Sequence, residues 1–378
     1  MMPRGTYFLD RYLGNLNGPQ ELGRTVYFWI TFLAVIVLGL CAPLFLGRYE
    51  LLNLSNFLIS ALLGLSLCLI WGFAGILSLG QAAFMGIAGY TYGIIGINLI
   101  KSHGNTDLAF LGGLLMPVLV AAALGYVMFY ARLRGVYVAI LMFVITLLCA
   151  TFMNQTAGPQ WAIGLAKLGG NNGLGRSSGD IHEPPSLVFG FGEYSFQFLG
   201  RNVSFYYLVF MVLLATYLGL RWLVNSNFGH VLVAIREDPD RTESFGYNIR
   251  LLQLLVFCIS ALIAGLSGIL YVAWGRFITP DVFSVANNIL PVIWVAAAGR
   301  KSLTATLIGS LFLIWLSQWL AVKGNYAFIV LGGILILTMM LTPEGLITTI
   351  ADRFARKRRN LGVSSTVGAI EPLAETAR

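Results

Sequence analysis

From Leu51 to Trp71 the chain reads LLNLSNFLISALLGLSLCLIW, with no charged side chain in the run. A helix rises ~1.5 Å per residue and a bilayer's hydrocarbon core is ~30 Å thick, so about 20 apolar residues suffice to cross it. This stretch has that length. Outward from it, no acidic residue occurs between Glu50 and Asp107, nor between Glu243 and Asp281. A charge in hydrocarbon is costly and usually functional, so these spans lack the carboxylates on which proton-driven pumps rely. Energy for active transport must come from elsewhere.

The rest of the chain repeats the pattern. Its 378 residues are 57% hydrophobic and only 11% charged, with 43 glycines, and the mean hydropathy is +0.79. These values place it in the helical membrane class. A closed β-barrel is disfavoured because the apolar runs are continuous and do not alternate. The expected fold is all-α and polytopic, with ten spans at roughly 26–46, 51–71, 79–100, 109–130, 135–153, 203–224, 251–275, 282–298, 303–322 and 325–342. The eighth is the weakest, being short and interrupted by Pro291. The third and its approach are crowded by Gly72, Gly75, Gly80, Gly86, Gly89, Gly93 and Gly96. Such crowding serves either a lined pathway or close helix packing.

Loop charges give an independent reading. Of the 24 Lys and Arg residues, only Arg48, Lys101, Lys167, Arg176, Arg201, Arg276 and Lys323 fall in segments placed outside, and the other 17 fall inside. By the positive-inside rule this bias closes only with an even span count and both termini cytoplasmic. It also accounts for the net charge of +8 without nucleic acid. The organisation that follows is a cytoplasmic segment 1–25, a transmembrane domain 26–345 and a basic cytoplasmic tail 346–378 that meets anionic headgroups through Arg353 to Arg359. Within the domain, 154–202 is an extracytoplasmic loop and 225–250 the largest cytoplasmic one. The strings ISALLGLSLCLIWG from Ile59 and ISALIAGLSGILYVAWG from Ile259 point to two five-helix halves in inverted orientation.

The inner loop is the most informative polar stretch. Asp238 can cap a helix with Pro239 at its first position, Asp240 favours the first turn, and Gly246 can supply a left-handed end. A helix of about two turns is too short to stand alone and needs a docking surface. It is either a coupling helix seated on a cytoplasmic partner or an ordinary solvated loop.

Other chemistry is thin. Cys41, Cys68, Cys149 and Cys258 lie inside apolar runs without metal-ligand spacing. His103, His182 and His230 are far apart, and no nucleophile–base arrangement emerges. Gly299-Arg300-Lys301-Ser302 lacks the spacing of GxxxxGK[ST], so the chain alone is not expected to hydrolyse ATP. Few polar residues lie in or beside spans: Asn53, Asn56, Gln81, Asn154, Gln155, Asn287, Asn288 and Gln318. Amides can bind a neutral polar solute or knit helices together.

Two strings go further. AGILSLGQAAFMG, from Ala74 to Gly86, resembles the signature of the LivM-like ABC permeases, and Gly229 to Tyr271 resembles that family's coupling loop and following span. The string IWVAAAGRKSL from Ile293, with Ala234 to Asp238 and Phe245 to Asn248, is similar to the urea branch. Ala297, Ala298 and Lys301 depart from that branch's glycine-rich pattern. The resemblance implies one permease of an ABC importer for a small neutral solute, expected to be urea, with a branched-chain amino-acid permease or a passive urea or amide channel as alternatives. It further implies a second homologous permease, two ATPase subunits using ATP and Mg, an extracytoplasmic solute-binding protein, and a bacterial inner-membrane location. Coupling is assigned to Asp240, Arg241, Thr242, Glu243, Ser244, Phe245 and Gly246. The solute path is assigned to Ser78, Gly80, Gln81, Asn287 and Asn288.

Overall fold

The computed structural model describes residues 26–158, 160–175, 183–191, 194–200, 202–321 and 326–341, with Leu16, Gly18, Gly345, Thr348 and Thr349 besides. The basic tail and nearly all of segment 1–25 lie outside the described residues. Helices stand where the apolar runs stand: α1 Val26–Phe45, α2 Arg48–Leu67, α3 Gln81–His103, α4 Asp107–Tyr130 and α5 Val136–Asn154. After the outer loop come α6 Val203–Asn225, α7 Asn227–Glu237, α8 Pro239–Ser244, α9 Ile249–Gly275, α10 Val285–Ala298, α11 Leu303–Ala321 and α12 Tyr326–Leu341.

Among the described residues, eight helices are long and apolar enough to cross a membrane. The tenfold count therefore needs α10 and α12 as well, and both are short. The expected eighth span divides into a 3-10 turn, Pro280–Phe283, and the 14-residue α10. Fourteen residues reach only ~21 Å, less than a hydrocarbon core. Ser284 breaks the run because its hydroxyl caps α10, accepting from the Asn287 amide at 3.4 Å.

The loop 154–202, expected outside, contains regular structure among its described residues. It holds two antiparallel hairpins, β1 (Ala162–Ile163) with β2 (Ala166–Lys167), and β3 (Leu187–Phe191) with β4 (Tyr194–Phe198). The second hairpin docks on the start of α4. The Thr106 amide donates to the Val188 carbonyl at 2.7 Å, and the Val188 amide donates to Thr106 Oγ1 at 2.9 Å.

α2 and α9 form the centre, packed on each other, with α9 also against α3 and α4, and α2 also against α6 and α11. Helices in lipid gain no hydrophobic drive from meeting, so small side chains and interhelical hydrogen bonds carry the contact. Ser260 Oγ donates to the Ser66 carbonyl at 2.8 Å, and Ser267 Oγ donates to the Ile59 carbonyl at 2.9 Å. A step forward on α9 is thus a step back on α2, and the repeated strings lie antiparallel.

The glycines of α3 serve packing. A Cβ on Gly86 would meet the Phe283 ring at 2.2 Å, one on Gly93 the Leu174 side chain at 2.4 Å, and one on Gly96 the Pro185 ring at 2.7 Å. One face of α3 is thereby pressed against the 3-10 turn and the outer loop. α1, by contrast, buries none of its residues. It is tied to α6 by Tyr206 and Tyr207, whose hydroxyls donate to the carbonyls of Gly39 and Leu40 at 2.8 and 3.0 Å.

Candidate functional site

Two regions are candidates for function: a cavity among the central helices and a polar seam around α7 and α8. The cavity holds about 260 Å³. Its polar lining includes Asn56 and Ser60 on α2, Tyr271 on α9, Asn287 on α10, and Ser317 and Gln318 on α11. Leu63, Met85, Leu290 and Ile314 give it an aliphatic wall, Ala82, Val282 and Trp294 also line it, and among the described residues no Asp, Glu, Lys or Arg does. A cavity of ~150 Å³ holds a benzene-sized ligand, so this one suits a small solute and not a nucleotide or peptide. Sequence reasoning singled out Asn56, Asn287 and Gln318 as polar residues in or beside spans. The fold brings those three together from three helices.

The other residues assigned to the path stand apart from the cavity. Gln81 is only 2% exposed, and its amide is used at both ends. Its Oε1 accepts from Ser66 Oγ and its Nε2 donates to Ser260 Oγ, each at 3.1 Å. It knits α2, α3 and α9. Ser78 is buried, and its Oγ accepts from the Gly80 amide at 3.3 Å. A Cβ on Gly80 would lie 2.3 Å from the Met142 methyl. Asn287 does line the cavity, although its Nδ2 also donates to the Asp281 carbonyl at 2.8 Å. Asn288, 3% exposed, has neither side-chain polar atom hydrogen-bonded among the described residues.

At the other region the local signals for α8 read correctly. Asp238 Oδ1 accepts from the Arg241 amide at 3.0 Å, Pro239 opens the helix, and Gly246 adopts φ +88°. The sequence reading missed α7. Phe228, Leu232 and Ile235 recur at i, i+4 and i+7, the mark of an apolar helical face, and Leu232 and Ile235 are buried. The loop expected to hold one short helix holds two at an angle, bent at extended Asp238.

α8 is fastened to its surroundings by one buried and several exposed residues. Thr242 is 4% exposed and donates through Oγ1 to the Asp238 carbonyl at 2.8 Å. Asp240 pairs with Arg134, beyond the end of α4, at 3.0 Å. Glu243 lines a crevice of about 20 Å³ with Arg132, Arg134 and Arg250. Ser244 Oγ donates to the Asp240 carbonyl at 3.0 Å. Phe245 is 75% exposed, an aromatic ring left outward beside a glycine with open space around it.

α7 reaches the central bundle through Arg236. Its guanidinium donates to the Gly72 carbonyl and to Glu237 Oε1, the latter from Nη2 at 2.6 Å. That hydrogen bond and the guanidinium's charge hold the Glu237 carboxyl below the usual carboxylate range. Gly72 belongs to a π-helical turn, Cys68–Phe73, that ends α2. A Cβ there would lie 1.8 Å from the Arg300 carbonyl oxygen, which accepts from Cys68 Sγ at 3.3 Å. The Arg300 guanidinium sits 5.3 Å from the Trp71 ring centroid. π turns inside helices are frequent at functional sites. This one joins α7, the end of α2 and the α10–α11 connection.

A multi-pass helical bundle enclosing a cavity without charged lining among the described residues, with a short helix pair joined to its centre, is the build of a membrane permease. The match extends to family level: residues 49–340 correspond to the family described as "Branched-chain amino acid transport system / permease component", and the chain belongs to it. It is similar to the high-affinity branched-chain amino acid transport system permease protein LivM of Escherichia coli (strain K12), with 27% identity over 360 residues, covering 89% of this chain and 80% of that protein. The protein of the same name from Salmonella typhimurium (strain LT2) is 25% identical over 346 residues, covering 88% and 79%. A probable branched-chain amino acid transport permease protein LivM from Methanocaldococcus jannaschii is 27% identical over 237 residues, covering 60% and 61%. No solved structure matches the chain. The expected family is thus met, whereas the expected urea subtype finds no support in these relatives.

Proposed function

We propose that this chain is the translocating subunit of an ABC importer for branched-chain aliphatic amino acids in a bacterial inner membrane. The observation that carries the reading is the uncharged cavity with an aliphatic wall. Amides and hydroxyls can hydrogen-bond the polar end of such a solute, and Leu63, Met85, Leu290 and Ile314 match its side chain. The relatives named above are branched-chain amino-acid permeases, which favours this solute over urea. Urea is the second reading, resting on the string from Ile293 to Leu303.

The power stroke comes from outside the chain. Two ATPase subunits bind and hydrolyse ATP with Mg, a second homologous permease completes the passage, and a solute-binding protein delivers the cargo. Both termini are cytoplasmic, so α7 and α8 face the ATPases. Exposed Phe245 and Glu243 seat α8 on them. Movement of α8 passes to the α4–α5 connection through Asp240 and Arg134. It passes to the π turn of α2 through Arg236 and Gly72. Since α2 lines the cavity, access alternates between the two sides of the membrane.

The test is uptake of labelled leucine, valine and urea by cells lacking their own systems and supplied with this chain and its partner genes. Leucine and valine uptake that stops when the ATPases are inactivated is the expected result. Uptake of urea alone overturns the solute assignment. Uptake by the purified chain alone in liposomes overturns the ATP-driven reading in favour of a channel.

A further inference from the structure

We propose that Tyr271, with Trp274 and Phe277, forms the outer gate of the solute cavity, and that the cleft beyond these rings is the antechamber from which solute enters. The inference rests on the cavity reading above and adds where its entrance lies.

A second and larger void stands at the far end of α9. It holds about 710 Å³, and its described lining includes Trp274, Arg276 and Phe277 together with Glu183, Leu199 and Gly200 of the loop 154–202. α9 runs for 27 residues, or ~40 Å, from the side of α8 to this cleft. The cleft and α8 therefore lie at opposite ends of the bundle. With α8 at the inner face, the cleft opens outside.

Tyr271 connects the two voids. It lines the solute cavity, and its ring centroid lies 5.9 Å from that of Trp274 and 6.3 Å from that of Phe277, both residues of the cleft. Both separations are those of aromatic rings in contact. Touching side chains, and no intervening helix, part the cavity from the cleft.

The two neighbours of Tyr271 are held in place. Tyr271 and Trp274 meet by the i, i+3 spacing of α9 alone, but Trp274 Nε1 also donates to the Leu52 carbonyl on α2 at 3.0 Å. Phe277 reaches Tyr271 because the chain turns back after α9, where Arg276 takes φ +55°, uncommon for a residue bearing a Cβ. Ile278 then fixes the turn. Its amide donates to the Leu174 carbonyl at 3.1 Å, and its carbonyl accepts from the Leu174 amide at 2.8 Å. Arg276 pairs with Glu183 at 3.3 Å. Phe277 is thus carried by the outer loop, and Trp274 by the central helices.

Tyr271 is the movable leaf. Its hydroxyl makes no hydrogen bond among the described residues, so a change of rotamer breaks two ring contacts and no hydrogen bond. A shift of the outer loop draws Phe277 off Tyr271 while Trp274 stays on α2, and the entrance opens. With the rings together the cavity is shut on this side, as alternating access requires whenever the inner side is open.

Cells carrying the full chain and its partner genes, with Ser60→Cys on the cavity wall as the sole cysteine, are treated from the external medium. The reagent is the membrane-impermeant 2-(trimethylammonium)ethyl methanethiosulfonate, applied with and without leucine. Tyr271→Ala is expected to speed labelling about tenfold and Phe277→Ala severalfold, whereas Tyr271→Phe, which keeps the ring, holds the parent rate. Rates are taken per molecule of chain in the membrane, so a variant made in low yield still reports. Labelling equally fast in all four chains overturns the gate, and slowing by leucine there would spare the cavity reading. Labelling sped as expected but unmoved by leucine sustains the gate and overturns the amino-acid reading of the cavity. No labelling in any chain overturns the entrance.

Discussion

The hydroxyl of Ser260 on α9 donates to the backbone carbonyl of Ser66 on α2 at 2.8 Å, and so lets the two most deeply packed helices touch almost backbone to backbone. The same Ser260 hydroxyl accepts from Gln81, which in turn accepts from the Ser66 hydroxyl. Three helices are thus closed by one ring of polar groups. Each interhelical hydrogen bond in lipid contributes about 0.6 kcal/mol and at most about 2 kcal/mol. Replacing Gln81 by Leu removes two of them and leaves the two serines to re-pair. The expected cost is about 1–3 kcal/mol, read as a lower unfolding midpoint, with uptake retained in proportion to folded protein.

A larger steric effect is expected at the π turn. Gly72→Ala would place a methyl 1.8 Å from the Arg300 carbonyl oxygen, a backbone atom unable to swing aside. Overpacking of this kind costs about 1–3 kcal/mol or more. Because the turn also receives Arg236, uptake per folded molecule should fall along with stability. Uptake and midpoint measured together check this.

Charge reversal separates coupling from stability. The Arg134–Asp240 pair is well exposed on both sides, and such pairs contribute only about 0–1 kcal/mol. Asp240→Arg should therefore leave folding unchanged while lowering ATP-driven uptake severalfold. The swap of Arg134→Asp with Asp240→Arg should recover much of it. A double variant no better than Asp240→Arg would remove this pair from the coupling route.

Filling the cavity tests the route itself. Ser60 lies on its polar side, and Ser60→Phe adds a ring where the solute would pass. Membrane insertion and complex assembly should persist while uptake falls at least tenfold. Normal uptake in this variant would place the path elsewhere.

Much of the architecture was legible because membrane helices announce themselves by length and apolarity. The boundaries at Val26, Val203 and Leu303 follow from composition alone. Asp238, Pro239 and Gly246 marked α8 because capping is local chemistry. α7 is obscured in the sequence because the polar run 236–243 directly follows the short apolar stripe of Phe228, Leu232 and Ile235. The cavity could not be read at all, since Asn56, Asn287 and Gln318 are brought together only by packing of α2, α10 and α11. The role of Gln81 in packing is illegible for the opposite reason: an amide among glycines is compatible with a lined path, and its partners, Ser66 and Ser260, are ordinary residues of distant segments.

Removing the outward aromatic and acid of the lever is a direct check on the motor contact. Glu243→Ala with Phe245→Ala should assemble in the membrane yet separate ATP hydrolysis from uptake. Unchanged coupled uptake in that double variant would move the contact away from α8.

The central claim is that α8 meets its driving subunits at the inner face. A single cysteine at Phe245→Cys, in a chain whose four native cysteines are replaced, can be probed with a membrane-impermeant maleimide. Labelling is expected only in inside-out vesicles, and it should fade when the ATPase subunits are present. Labelling of intact cells from the external medium would contradict the account.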